Sequence, residues 1–353
     1  MLAYRFKNVC LESYALELPP EEVTSAALED RLAPIYKKLG IPFGTLEKLS
    51  GVKTRYFWPK TVMPSEPATS VARKALEKAG LTVSDIGALF SCSVTRDYFE
   101  PATAALIHGR LGLPEQSVSM DISNACLGFS NGLITLANLI ESGVVKAGIV
   151  VSGENVNGII ESTLAKLNAS STLSREELLK LVPTFTLGCG AAAFVLTHQS
   201  ISKSKHRIIG SVTRCATQFN DLCVGNADYC MSDLANLDPI METDSQKIIS
   251  SAASLGGRAW KDFSEAHEWK RDDVQHIFCH QVGKQVNSAF YQEMGLDMSK
   301  EYTVYPRYGN LVSAALPSCF ITKAEKEGFN SGDKILFTAF GSGLNTVFTG
   351  IVW

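Results

Sequence analysis

The sequence predicts an α/β fold built as two repeated halves. Three observations carry this reading: short apolar runs alternate with helical segments, their order recurs once along the chain, and the composition supplies a large core. Of 353 residues, 45% are hydrophobic and 20% charged, with 27 glycines, which is globular composition.

The elements read in order as follows. "RFKNVCLESYALELP" is the opening strand. "PSEPATSVARKALEKAGLT" is a helix, with Pro67 near its start and Gly80 as its stop. "IGALFSCSV" is a strand, and "VSMDIS" is another that leads into "LGFSNGLITLANLI", a helix apolar on most faces and therefore predicted to be buried. After the strand "AGIVVSGE", the segment "STLSREELLKLV" carries Ser174 and Glu177 at the spacing of a capping box. The runs "AAAFVLT", "RIIGSVT", "HIFCHQV" and "KILFTAFGSG" complete the strands. Strands alternating with helices predict largely parallel sheets covered on both faces.

The recurrence is specific. "VSDIGALFSCS" (83–93) parallels "RDDVQHIFCHQ" (271–281): an acidic turn, an apolar strand, then polar residues. About thirty residues on, each is followed by a small polar loop opening a helix, "SNACLGFSNGLITLANLIESG" and "RYGNLVSAALPSCFITKAEKEG". Each helix leads to an apolar strand ending in glycine. The predicted halves are 1–200 and 201–353, and 155–185, which has no counterpart, is an inserted cap. Equivalent strand ends from two such halves converge on one crevice, where open α/β sheets bind ligands.

The net charge of −3 gives no general attraction to nucleic acid, so a small-molecule or protein partner is expected. No apolar run is long enough to span a bilayer, and the first residues lack the pattern of a signal peptide. Nine scattered cysteines in a chain of this size fit reduced thiols and a cytoplasmic protein. Cys223 and Cys230 have no second pair to complete a zinc site.

Three residues fall at the predicted strand ends: Cys126, His280 and Asn310. Cys126 precedes a buried helix, whose amino-terminal dipole favours a thiolate; the simpler alternative is a packed core thiol. His280 follows a strand and Asn310 follows Gly309 in a tight turn; each could equally be a hydrogen-bonded structural residue. His276 and His280 would share a strand face without further ligands, which argues against metal. "GCGAAA" (188–193) fits a dinucleotide-binding pattern, but a strand follows it where a helix is required. "FGSGLN" (340–345) reads as a loop where glycine lets a backbone N–H approach a ligand.

Taken together, "NACLGF", "CHQVG", "YGNLVSAA" and "FGSGLN" resemble the thiolase superfamily over almost the whole chain, in the branch of β-ketoacyl-acyl-carrier-protein synthase III. The resemblance implies a five-layer α-β-α-β-α arrangement. It makes Cys126 the acyl-accepting nucleophile and His280 and Asn310 donors to an enolate oxygen. The backbone N–H groups of Cys126 and Gly343 would hold the acyl-cysteine carbonyl.

"SVTRDYFEPATAALIHGRLG", "NACLGFSNG" and "FTLGCGAAAFVL" are more similar to the head-to-head condensing enzymes of bacterial long-chain olefin and ketone biosynthesis. That resemblance makes Glu100 a base delivered into the neighbouring subunit of a homodimer; read alone, Glu100 would simply stabilise the start of the next helix. It departs from synthase III, which would show H-Q-A-N where this chain has His280-Gln281-Val282-Gly283, and an acidic residue where it has Cys189. The implied reaction is a non-decarboxylative Claisen condensation of two long-chain acyl-CoA molecules to a β-keto acid, with coenzyme A present only as part of the substrate and no permanent cofactor. Downstream enzymes of the same pathway would be partners. Alternatives are a decarboxylating synthase III-like enzyme using malonyl carrier protein, and a non-catalytic thiolase-fold subunit. A hydroxymethylglutaryl-CoA synthase matches the surrounding sequence less well, and a degradative thiolase would need a second cysteine near "AFGSGLN". Arg55 in "GVKTRYF" is a candidate for a CoA phosphate, or else an ordinary surface arginine.

Overall fold

The alternation of side chains along the strands decides how the layers stack. In the computed structural model, which describes residues 2–226, 240–281 and 283–353, Leu89 faces a cluster with Val71, Ala72 and Ile107, while its neighbours Ala88 and Phe90 face one with Leu133, Phe320 and Phe337. In the second half, Phe278 joins that same central cluster, and Ile277 and Cys279 turn outward to Leu255, Trp260 and Phe263. This period of two yields five layers. Helices Ser65–Ala79 and Thr103–Leu111 lie outside the first sheet, Gly128–Glu141 and Ala315–Lys326 fill the middle, and Ser245–His267 and Lys284–Met294 cover the second sheet. A chain of aromatic contacts crosses the centre: Phe129 to Phe194 at 5.0 Å, Phe194 to Phe320 at 5.5 Å, Phe320 to Phe337 at 5.3 Å between centroids.

The strand order repeats. The first sheet runs Val118–Asp121, Ala88–Ser91, Ala147–Glu154, Gly190–His198, Val9–Glu17; the second runs His276–Cys279, Lys334–Gly341, Asn345–Val352, Arg207–Cys215, Ala3–Arg5. The two join through a single pair, Cys10 with Arg207. Where the first sheet has its edge strand 118–121, the second has only the bridge from Ile277 to Glu301. The expected opening strand forms over Val9–Glu17, and a short strand before it, Ala3–Arg5, pairs into the second sheet. The sheets are mixed, whereas largely parallel ones were expected: among the described strands, the pairings of 88–91 with 118–121 and 147–154, and of 276–279 with 334–341, are parallel and the others antiparallel. A three-residue loop between Gly341 and Asn345 cannot make a crossover, so those strands form a hairpin.

Helix Ser65–Ala79 ends on Gly80 at φ 63°, and Ser174 and Glu177 form the reciprocal capping bonds at 3.2 and 2.8 Å. Within 155–185, helices Asn157–Ala169 and Arg175–Leu181 pack with residues 28–46 in an apolar cluster that Cys126 borders. No helix among the described residues is long and apolar enough to cross a membrane, and the eight described cysteines are free thiols. Cys230 and Val282 lie outside the described residues.

Candidate active site

Cys126 stands at the carboxyl end of strand Val118–Asp121, two residues before helix Gly128–Glu141. The glycines of "ACLGFSNG" explain how that helix reaches its place. A Cβ on Gly128 would lie 2.4 Å from the Cys92 carbonyl oxygen, and one on Gly132 2.4 Å from the Cys92 sulfur, so only glycine lets the helix close onto the strand end. Ala125, immediately before the cysteine, is held at φ 46°, a strained conformation for a residue with a Cβ.

The loop after strand Lys334–Gly341 lies against this turn. A Cβ on Gly341 would sit 3.2 Å from the Leu127 backbone nitrogen, and Asn345 Nδ2 donates to Asn124 Oδ1 at 3.3 Å. Gly343, at φ 125°, is therefore carried on a loop fastened beside Cys126. His280 follows strand His276–Cys279, parallel to and in register with 335–338, so it shares a sheet end with Gly341. Its N–H donates to the Thr338 carbonyl at 3.1 Å. The Gln281 side chain fixes the neighbouring backbone: Nε2 donates to the Cys279 carbonyl at 3.1 Å, and Oε1 accepts from the N–H groups of Val304 and Tyr305 at 2.9 and 3.3 Å. His276 is engaged separately with Asp333, at 3.0 Å.

Asn310 is set by the glycine loop 188–190. Its N–H donates to the Thr186 carbonyl at 2.8 Å, and its own carbonyl accepts from Gly188 at 3.0 Å. The Val312 N–H donates to Asn310 Oδ1 at 2.9 Å. A donor facing that oxygen fixes which way the amide points and leaves the amino group as its free end. Val312, at φ 55°, repeats the strain seen at Ala125, and it belongs to the apolar cluster that Cys126 borders. The structure thus gathers Cys126, His280, Asn310 and Gly343 around one end of the two sheets.

Electrostatics correct one expectation. Burial pushes the Cys126 thiol up to about 12, with the nearby Cys223 and Glu154 adding to the rise. Part of the residue stays open to solvent, so water tempers the desolvation without reversing its direction. The free thiol is the resting form; the helix begins beyond Leu127 and does not outweigh burial. Burial lowers His280 to about 4, which leaves a neutral imidazole at physiological pH.

Two further residues differ from the simplest sequence readings. Glu100 does not serve helix Thr103–Leu111: Asp121 does, accepting from the N–H groups of Thr103 and Ala104 at 3.0 and 2.7 Å. Glu100 is exposed, on a loop whose Tyr98 and Phe99 are 53% and 71% exposed. Arg55 is buried entirely, neither on the surface nor where a CoA phosphate would be met. It donates to Ser25 Oγ at 3.0 Å and the Phe185 carbonyl at 2.8 Å, and its Cβ packs under Gly188 and Gly309. "TRYF" alternates into the interior at Arg55 and Phe57, the signal that could have placed it. Sequence reasoning also passed over Glu154, which is fully buried beside the site.

Fold and site together define an acyl-transferring condensing enzyme with a thiolase-like fold. The family model described as 3-oxoacyl-[acyl-carrier-protein (ACP)] synthase III matches residues 120–216, and that of its C-terminal part matches 264–353. The acyl-CoA:acyl-CoA alkyltransferase of Xanthomonas campestris is 33% identical over 348 residues, covering 99% of both chains. That of Shewanella oneidensis is 34% identical over 353 residues, covering 99% of this chain and all of the relative. A crystal structure of cerulenin-bound OleA from X. campestris superposes with a TM-score of 0.92 at 34% identity, over 99% of this chain and 98% of that one. A serine variant of that OleA, solved with lauric acid and lauroyl-CoA, superposes equally well at 33% identity, over 99% and 100% of the chains. The chain belongs to the acyl-CoA:acyl-CoA alkyltransferase (OleA) family.

Proposed function

We propose that this protein joins two long-chain acyl-CoA molecules head to head by a non-decarboxylative Claisen condensation. The observation that carries the reading is Glu100: Asp121 has taken over the capping of the helix beside it, so an exposed carboxylate is left on a projecting apolar loop. The lauroyl-CoA bound by an OleA relative supports the choice of substrate.

Cys126 attacks the first thioester, its S–C bond forming as the bond to coenzyme A breaks, and the neutral His280 relays the thiol proton to the departing coenzyme A sulfur. The backbone N–H groups of Cys126 and Gly343 hold the acyl-cysteine carbonyl. Glu100 removes the α-proton of the second acyl-CoA, and His280 with Asn310 Nδ2 holds the enolate oxygen. The enolate carbon bonds to the acyl carbon, the Cys126 thiolate leaves, and hydrolysis of the β-ketoacyl-CoA gives a β-keto acid. Coenzyme A enters as part of the substrate and leaves as the free thiol. The halves 1–200 and 201–353 supply the two sides of the site, and 155–185 caps it with the apolar wall bordering Cys126. Free thiols fit a cytoplasmic setting. The synthase III matches favour a second reading, extension by a decarboxylating malonyl group.

The proposed dimer shares its sites: Glu100 of one subunit works in the other. Mixing Glu100→Ala with Cys126→Ala, each inactive alone, tests this. In the hybrid, the protomer keeping Cys126 receives Glu100 from its partner, and condensation returns. A hybrid as inactive as its parents contradicts the shared site.

A further inference from the structure

We propose that Glu154 is a positioning residue that holds the Glu100 loop and the Asn310 loop in fixed relation around Cys126. The inference rests on the catalytic reading above. Glu154 ends strand Ala147–Glu154 and is wholly buried. Its Oε1 accepts from the Val94 N–H at 2.8 Å and from Ser313 Oγ at 2.5 Å. Its Oε2 accepts from the Thr95 N–H at 3.0 Å and Thr95 Oγ1 at 2.8 Å. Val94 and Thr95 open the loop that carries Glu100; Ser313 lies three residues beyond Asn310. One carboxylate therefore ties together segments more than two hundred residues apart in sequence.

A carboxylate is the group that can do this. Four donors converge on two oxygens, which is the complement of an ionised acid, and a buried acid without them would be costly. Burial raises its pKa, and these donors offset only part of the rise. Further bonds brace the same corner: Ser93 Oγ accepts from the Gly153 N–H at 2.8 Å, Thr95 Oγ1 from the Asn155 N–H at 3.0 Å, and the Ser152 and Ser313 hydroxyls meet at 2.6 Å.

The acylation half of the site is fastened elsewhere. Gly343 is held through Asn345 to Asn124 and through paired backbone bonds between Ala216 and Leu344 at 2.8 and 3.3 Å. None of these passes through Glu154. Loosening Glu154 therefore slows the enolate-forming step, served by Glu100 and Asn310; its charge adds to the rise of the Cys126 thiol, so neutralising it does not slow acyl transfer to Cys126.

The test measures the two half-reactions separately in the full-length protein, with a long-chain acyl-CoA as probe: one equivalent of rapid coenzyme A release for acylation, and β-keto acid for condensation. Glu154→Gln supplies one acceptor oxygen and an amino group facing donors. It is expected to lower condensation about 100-fold through displacement on the ångström scale, with acylation slowed by less than about threefold. Ser313→Ala, a milder change that carries the test if Glu154→Gln does not fold, should lower condensation about tenfold. The double variant should be no worse than Glu154→Gln, because the two act as a unit. A parallel fall in both half-reactions, or additive losses in the double variant, overturns the proposal. If instead the unaltered protein gives no Cys126-dependent release of coenzyme A, the catalytic reading itself fails, whatever Glu154 does.

Discussion

Asn345 and Asn124 bond across the two halves of the chain, Nδ2 to Oδ1 at 3.3 Å, while the other end of the Asn124 amide donates to Asn131 Oδ1 at 2.9 Å. The amide of Asn124 thus locks the turn before Cys126 to both its own helix and the loop of Gly343. A Cβ on Gly343 would come within 2.8 Å of Asn345 Nδ2.

Gly343→Ala, strained at φ 125° and pressed against Asn345, should slow Cys126 acylation about 100-fold by misplacing one oxyanion donor. Asn345→Ala should cost about tenfold, the loss of one modest hydrogen bond. Single-turnover release of coenzyme A measures both; acylation at the unaltered rate in Gly343→Ala would remove its N–H from the mechanism.

Glu100 and Asp121 should separate chemistry from stability. Asp121→Asn weakens the cap of helix Thr103–Leu111 and should lower the unfolding free energy by about 1 kcal/mol. Glu100→Ala should leave the thermal midpoint within about 1 °C, keep acylation of Cys126 and lose condensation. A destabilised Glu100→Ala with normal turnover would return Glu100 to a capping role.

Arg55 should behave as an interior residue. Its removal leaves Ser25 Oγ and the Phe185 carbonyl without a partner, so Arg55→Ala should lose about 3 kcal/mol in urea unfolding. The KM for acyl-CoA in the folded protein should change less than about twofold. A tenfold rise in KM with an unmoved urea midpoint would instead put Arg55 on the phosphate.

The pH dependence follows from burial of His280. Its folded value, about 4, lies below the ordinary imidazole value of about 6.5. The unfolded chain therefore binds the proton first on acidification. Stability is full above about 6.5 and is lost as pH falls through about 4. Urea midpoints should decline over that window, and His280→Asn should flatten the decline; an identical decline in the variant contradicts the assignment. The free Cys126 thiol, held high by burial, should show iodoacetamide reactivity still climbing from about pH 8 to about pH 10.

The sequence was most legible where local rules coincide with tertiary ones. Gly80 and the Ser174–Glu177 box stop and start their helices as read, because capping is decided within four residues. The repeat was legible because both halves must present the same strand ends, and it brought Cys126, His280 and Asn310 into view. What stayed hidden depends on contacts distant in sequence. Arg55 is buried because strand Thr54–Phe57 lies beneath the loops of Gly188 and Gly309. Asp121 caps a helix that starts eighteen residues before it, and Glu154 gathers donors from residues 94, 95 and 313. The thiolate expected at Cys126 failed for a related reason: a local helix end was weighed without the desolvation that only the packed layers impose.

The most direct measurement uses one long-chain acyl-CoA as sole substrate, with no malonyl compound present, and follows coenzyme A and β-keto acid together. The account predicts two molecules of coenzyme A for each β-keto acid, and neither turnover nor product in Cys126→Ala. Product formed only on addition of malonyl carrier protein, with release of carbon dioxide, would contradict it.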